Sequence, residues 1–256
     1  MLFDRIILLA GKWDTTPIVY NFLKEHFNLL KTIIEEPVPK KTFLQKRIKK
    51  FGWIRVSGQI LFQLLIAKPL KKRSGKRIAE IIEKYHLSSS PIPSNEIINV
   101  SSVNSEACLQ QLQQVRPNLV IVHGTRIISK KILTAVDAPF VNIHAGITPR
   151  YRGSHGAYWA LANDDIKNCG VTVHFVDAGI DTGNILEQGT IPLTSKDNFA
   201  TYPYLQLAEG LILLKKIVEG KKSEERIMIQ NNGDSALWYH PTLWSYLWKR
   251  ISRGIK

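Results

Sequence analysis

Apolar positions along this chain fall into short aliphatic runs separated by stretches of helical period. The first run, Arg5 to Ala10 (RIILLA), ends at Gly11 and reads as a buried parallel strand followed by a turn. Pro17 to Phe27 has helical character, with Thr15 or Thr16 placed to cap it and Pro17 in its first turn. Leu29 to Glu35 is a second strand. The segment from Pro37 to Arg77 breaks this rhythm. It resumes at Lys76 to His86, where Ile78, Ile81, Ile82 and Tyr85 mark one face of an amphipathic helix. Ser88 to Ser94 is a Ser/Pro loop. Strands are then expected at Ile97–Val100, Leu119–Val122, Phe140–His144, Gly170–Val176 and Ile185–Ile191. Helices are expected at Ser105–Val115, Lys130–Ala135, from Tyr158 to Asn163, and over the long leucine-rich stretch Phe199–Glu219.

Strands alternating with helices predict an α/β fold: a Rossmann-like, mostly parallel sheet with helices on both faces. In such sheets the ligand site lies beyond the carboxyl ends of the strands. That puts the chemistry just after Val122 and around His144. The 256 residues suffice for one substantial core. We expect a catalytic domain over 1–220 that carries a basic helical insertion at 37–87, and a short C-terminal extension over 221–256.

Composition narrows this little. An apolar fraction of 44% weighs against a disordered chain. Cys108 and Cys169 are far apart and in no metal-ligand spacing, so neither a disulfide scaffold nor a metal site is expected, and a reduced, cytoplasmic setting is the simpler reading. The opening MLFDRIILLAG lacks a basic leader region and a cleavage pattern, which favours a first strand over a signal peptide. No uncharged apolar run reaches about 18 residues, so no transmembrane helix is expected.

Charge changes the picture more. Thirteen Lys and Arg residues lie between Lys40 and Arg77 with no Asp or Glu among them, and they account for nearly all of the formal +14. The basic character belongs to one segment and is no whole-protein footprint for nucleic acid, which is not an expected partner. Within that segment Arg55 to Leu70 reads as a helix apolar on most of its surface. Three readings stay open for it: packing in the core or a homodimer seam, contact with an anionic membrane surface with Trp53 at the interface, or binding of an anionic substrate. The second would hold the protein at the inner membrane face. The aromatic tail from Leu237 to Trp248 reads as a packing arm, with a stacking platform as the alternative.

Candidate catalytic chemistry sits in Val141 to Gly153. Asn142 and His144 are two apart, which on a strand turns both to one face and Ile143 to the other. A Gly/Pro loop follows. Further on, Gly179 and Gly183 bracket Asp181 in a tight turn. An amide can donate to a carbonyl oxygen that gains charge, an imidazole can stabilise it and move a proton, and a carboxylate can orient the imidazole. These residues taken alone fit acyl transfer to an amine, but they do not choose between Asp177 and Asp181.

The stretch Val141 to Leu186 resembles the formyltransferase family, which includes glycinamide ribonucleotide transformylase, methionyl-tRNA formyltransferase and the nucleotide-sugar N-formyltransferases. The pattern Asn-x-His followed by Pro and Gly is met by Asn142, His144, Pro149 and Gly153, and the family aspartate falls on Asp181. The resemblance implies catalytic roles for Asn142, His144 and Asp181 and 10-formyltetrahydrofolate as co-substrate. It also implies a pterin-holding loop at Gly124, Thr125, Arg126, Ile127 and Ile128. Two departures bear on the acceptor. Gly11-Lys12-Trp13-Asp14-Thr15 stands where the purine enzyme has a phosphate loop, and the 37 residues after Glu219 are too few for the tRNA enzyme's C-terminal barrel. The expected acceptor is therefore a small-molecule amine such as a nucleotide-linked amino sugar. A tRNA or glycinamide ribonucleotide acceptor, or hydrolysis of the formyl-folate, are the alternatives, and a non-catalytic folate-fold protein that docks through 40–77 is a third class.

Overall fold

The computed structural model describes residues 3–220 and 234–256. Strand β1 (Ile6–Gly11) is buried along its whole length, as a continuous aliphatic run requires of a central strand. It pairs in parallel with β2 (Leu29–Glu35) on one side and, past β3 (Ile97–Val100), with β4 (Leu119–His123) on the other. β3 lies parallel on β2, and β5 (Phe140–His144) lies parallel on β4.

Beyond β5 the sheet changes sense. After the short β6 (Arg152–Gly153) come β7 (Gly170–Phe175) and β8 (Ile185–Thr190), which add antiparallel to complete the order β3-β2-β1-β4-β5-β7-β8. The sheet is mostly parallel, as the alternating pattern predicted. β7 alone runs against the other strands; β8 returns to their direction, because the turn 176–184 after β7 is too brief for a helical crossover.

Alternate residues of β1 feed two cores. Ile6, Leu8 and Ala10 meet Ile18 and Leu23 of α1 (Thr16–His26). Ile7 and Leu9 meet residues 108–112 on the opposite face. Thr15 precedes α1 without capping it; its hydroxyl instead meets His123 Nε2 at 2.9 Å. The insertion is a chain of helices: α2 (Lys40–Phe51), α3 (Trp53–Phe62), a π-helical turn (Gln63–Ala67), α4 (Lys68–Arg73) and α5 (Gly75–Lys84). The helix expected at Arg55–Leu70 is thus part of a longer helical run, and α2 was not legible because none of its residues is buried. Only one side of α3 packs inward, through Val56, Gln59 and Phe62.

The second face of the sheet carries α6 (Glu106–Val115), capped by the Ser105 hydroxyl, and α7 (Lys130–Leu133). Next come α8 (Gly156–Ala162) and α9 (Tyr202–Glu219), whose leucines complete the first core. A third core joins the insertion to the sheet domain and the tail: Phe62 and Ile81 pack with Tyr151, Tyr158, Phe199 and Tyr246. The tail forms β9 (Leu237–Trp238), parallel to β6, and α10 (Leu243–Arg253), which lies against α3. Trp238 stacks on Trp159 at 4.7 Å, so its ring packs internally. The expected extension over 221–256 includes 221–233, outside the described residues; 234–256 is folded onto the domain.

Candidate active site

The carboxyl ends of β4 and β5 open into a cavity of about 500 Å³. Asn142, His144 and Asp181 meet at it, together with Gly124 to Ile128 from the loop after β4. The strand alternation holds: Ile143 packs away from Asn142 and His144, against Gly210 of α9, where an added Cβ would lie 2.3 Å from it. Asp181 occupies a left-handed turn with φ +51. Its Oδ2 accepts from the Gly153 amide at 2.9 Å and lies 3.3 Å from His144 Nδ1. Asp177 is instead spent on its own turn, accepting from the Gly179 amide and the Thr182 hydroxyl. Of the two aspartates, Asp181 is the one that reaches the imidazole.

Hydrogen-bond partners fix one proton of His144. His144 Nε2 is 2.8 Å from the Tyr151 carbonyl, which can only accept, so Nε2 carries a hydrogen. Nδ1 faces a carboxylate. An imidazole that also carried a hydrogen on Nδ1 would donate it to Asp181, so His144 and Asp181 are placed to hold a proton between them. At 3.3 Å this contact is long enough for Nδ1–H to be shared with a third oxygen in the cavity.

A further histidine completes the site. The antiparallel register places His174 of β7 opposite Asn142. Its Nδ1 donates to the Phe175 carbonyl at 2.8 Å, which leaves Nε2 free to accept from Asn142 Nδ2 at 3.2 Å. Burial, aided by the neighbouring His144, pushes His174 below the usual imidazole range and outweighs its bond to Phe175 and the nearby carboxylates. A neutral His174 thus fixes which end of the Asn142 amide is NH₂. Nothing in the sequence singled out His174, because its place opposite Asn142 depends on the register of β7 against β5, with residues 145–169 between them.

The loop after β4 is anchored from below by Glu35, which sits at the end of β2 and is 4% exposed. Its carboxylate accepts from the Arg126 amide at 2.6 Å and the Val103 amide at 3.1 Å. The Arg126 guanidinium donates to the carbonyls of Ser101 and Glu36 and lies 3.6 Å from the Glu35 carboxylate. Arg126 therefore fixes the loop with both its amide and its side chain, while Ile127 is displayed, 54% exposed, and Ile128 is buried. Trp13 lies over Gly11 and Gly124, with its indole N–H on the Gly124 carbonyl at 2.7 Å; a Cβ on either glycine would fall 2.5 Å from the ring. On the other wall stand Arg47 of α2 and Tyr239 of the tail. Arg47 bonds Gln59 at 2.6 Å, so the insertion forms one wall of the cavity.

The family model described as "Formyl transferase" matches residues 62–209, more than half of the chain. The chain belongs to this formyltransferase family. A methionyl-tRNA formyltransferase of Syntrophomonas wolfei is 29% identical over 183 residues, covering 68% of this chain and 55% of the relative. The chain thus spans about half the length of the curated relatives it matches. Among solved structures, a phosphoribosylglycinamide formyltransferase from Anaplasma phagocytophilum superposes with TM-score 0.54 at 16% identity, covering 91% of this chain and 96% of that one. A 4-N formyltransferase from Francisella tularensis gives 0.53 at 16%, covering 92% and 76%. At these identities the structures attest the shared fold.

Proposed function

We propose that this chain transfers a formyl group from 10-formyltetrahydrofolate to an amine. The observation that carries the reading is the convergence of Asn142, His144 and Asp181 at the base of a cavity whose other edge is the 124–128 loop. The folate supplies a formyl carbon on N10 with an amine-like leaving group. The cavity's make-up fits such a donor: an exposed aliphatic, Ile127, and a rigidly held loop backbone at one end, polar groups at the other.

The residues' work follows from their placement. The acceptor nitrogen attacks the formyl carbon, a C–N bond forms, and charge moves to the formyl oxygen. Asn142 Nδ2, oriented by His174, and His144 Nδ1–H are the donors for that oxygen. As the bond to N10 breaks, N10 takes up a proton and the acceptor nitrogen loses one. A proton held between His144 and Asp181 would be placed to serve this exchange.

For the acceptor we favour an amino sugar on a nucleotide or similar carrier. The turn after β1 offers an indole face, Trp13, rather than an open amide cradle for phosphate, and a flat exposed ring suits a sugar or base. The test is a mass-based screen of amine acceptors with 10-formyltetrahydrofolate, read as the gain of one carbonyl. His144→Ala should lower turnover about 100- to 1,000-fold. A variant keeping more than half of wild-type turnover overturns the role, and formate release indifferent to every amine overturns the transfer.

A further inference from the structure

Helix α3 and the π-helical turn after it face outward with the wrong polarity for water. Trp53, Ile54, Ile60, Leu61, Leu64 and Leu65 are all between 41% and 69% exposed. Their spacing places them on one side of the helical run, opposite the buried Val56, Gln59 and Phe62. Helix α10 repeats the pattern. Trp244, Leu247, Trp248 and Ile251, at i, i+3, i+4 and i+7, are 48%, 40%, 68% and 82% exposed, while Tyr246 is buried. The two helices touch, and the Trp244 ring lies over Gly58, where an added Cβ would fall 2.2 Å away. The two stripes thus belong to one surface. Thirteen of the seventeen large exposed hydrophobics among the described residues lie in α2, α3 with its π turn, and α10, so the exposure is concentrated, unlike the scattered apolar residues of an ordinary surface.

Charge says what would cover this surface. From Pro37 to Ala79 and from Ser235 to Lys256 there is no Asp or Glu. Among the described residues no carboxylate lies within ion-pair distance of Lys46, Lys49, Lys68 or Lys72. A second copy of the chain meeting this face about a two-fold axis would set cations against cations with no acid to relieve them. RNA would satisfy the charge and leave the aliphatic side chains without a partner. A bilayer with anionic headgroups satisfies both, and tryptophans at the edge of an apolar stripe suit its interface. Among the described residues no helix is long and apolar enough to cross a membrane, so the contact is with its surface. We propose that the outward face of α3 and α10 docks on an anionic lipid surface. Because Arg47 links the cavity wall to Gln59 on the inward side of α3, docking sets the cavity one helix diameter, roughly 10 Å, behind the bound face. The proposal stands whatever reaction the cavity performs.

The experiment is sedimentation of the full chain with vesicles of phosphatidylcholine and phosphatidylglycerol in equal parts, against pure phosphatidylcholine. The protein should pellet with the mixed vesicles at low salt and be released as the screening length shrinks towards about 8 Å at physiological ionic strength. Brominated acyl chains should quench the emission of the bound protein. Trp53→Ser combined with Leu64→Ser, both at exposed positions, should lower the bound fraction about tenfold or more with unchanged far-ultraviolet dichroism. Lys68→Gln, Lys72→Gln and Arg73→Gln together should weaken binding at low salt and flatten its salt dependence. Absence of binding at low salt, or equal binding to both kinds of vesicle, overturns the proposal. So does a wild-type dimer that the double substitution breaks, or tRNA binding that it weakens, since these assign the face to a second copy or to RNA.

Discussion

A single amide separates two roles for Asn142. In the proposed transfer its NH₂ faces the reacting oxygen, and that orientation rests on His174 Nε2 as acceptor. His174→Ala should therefore lower turnover by acting through Asn142. In a double-substitution cycle its effect should nearly vanish once Asn142 is alanine, which steady-state kinetics of the four proteins would show. A full additional loss in the Asn142→Ala background would mean that His174 acts independently. Two other histidines bear on stability: burial pushes His123 and His240 down from 6.5 to about 4. Both are then neutral in the fold where the unfolded chain binds protons. Stability is intact above about 6.5 and falls as pH drops through that value towards 4. Melting temperatures between pH 7 and pH 4 should follow this fall, and His123→Gln should lessen it. The Asn-x-His pair and the glycine-bracketed Asp181 were legible because strand alternation and a turn are local properties. His174, Glu35 and Arg47 were not, since each reaches the cavity through a pairing or a helix contact between distant segments.

At the scale of elements, the insertion is tied to the rest of the domain at its far end. Arg77 of α5 grips Asp197 with two bonds, 2.8 and 3.0 Å, and the Asp197 side chain is only 1% exposed. Burial would raise the Asp197 carboxyl, but the Arg77 guanidinium and the Thr194 bonds override it and hold it below the usual range. Arg77→Ala leaves a buried carboxylate without its partner and should cost about 3–5 kcal/mol, read by urea denaturation. A loss under 1 kcal/mol would show that Asp197 is sustained by Thr194 and Thr201 alone. At the cavity, Glu35→Ala strips the acceptor from two amides at about 1–3 kcal/mol each. It should weaken the fixing of the 124–128 loop, raising the KM for the formyl donor more than it lowers kcat. The parallel strands were legible from aliphatic runs bounded by turns. The two-residue strands β6 and β9 were not, because so short a pairing leaves no periodic trace.

Across the whole molecule, the segments that build the cavity are scattered along the chain. The sheet's central pairs, β1 with β2 and β1 with β4, are formed from residues 6–123, and the catalytic candidates follow by 181. Yet Leu237, Trp238 and Tyr239 also line the cavity, held by the pairing of Arg152 with Leu237 and Gly153 with Trp238. Closing a loop of that span carries an entropic cost that the local helices do not. The sheet also pairs distant segments, Ile6 with Leu119, but offsets that cost over five paired residues of a buried strand, whereas β6 and β9 pair over two. During refolding the sheet can therefore exist before its cavity has a complete wall. Far-ultraviolet dichroism should recover before the tryptophan stacking of residues 159 and 238 does, and folate binding should track the slower of the two. A newly made chain would then pass through a stage that is already structured and not yet able to hold its substrate.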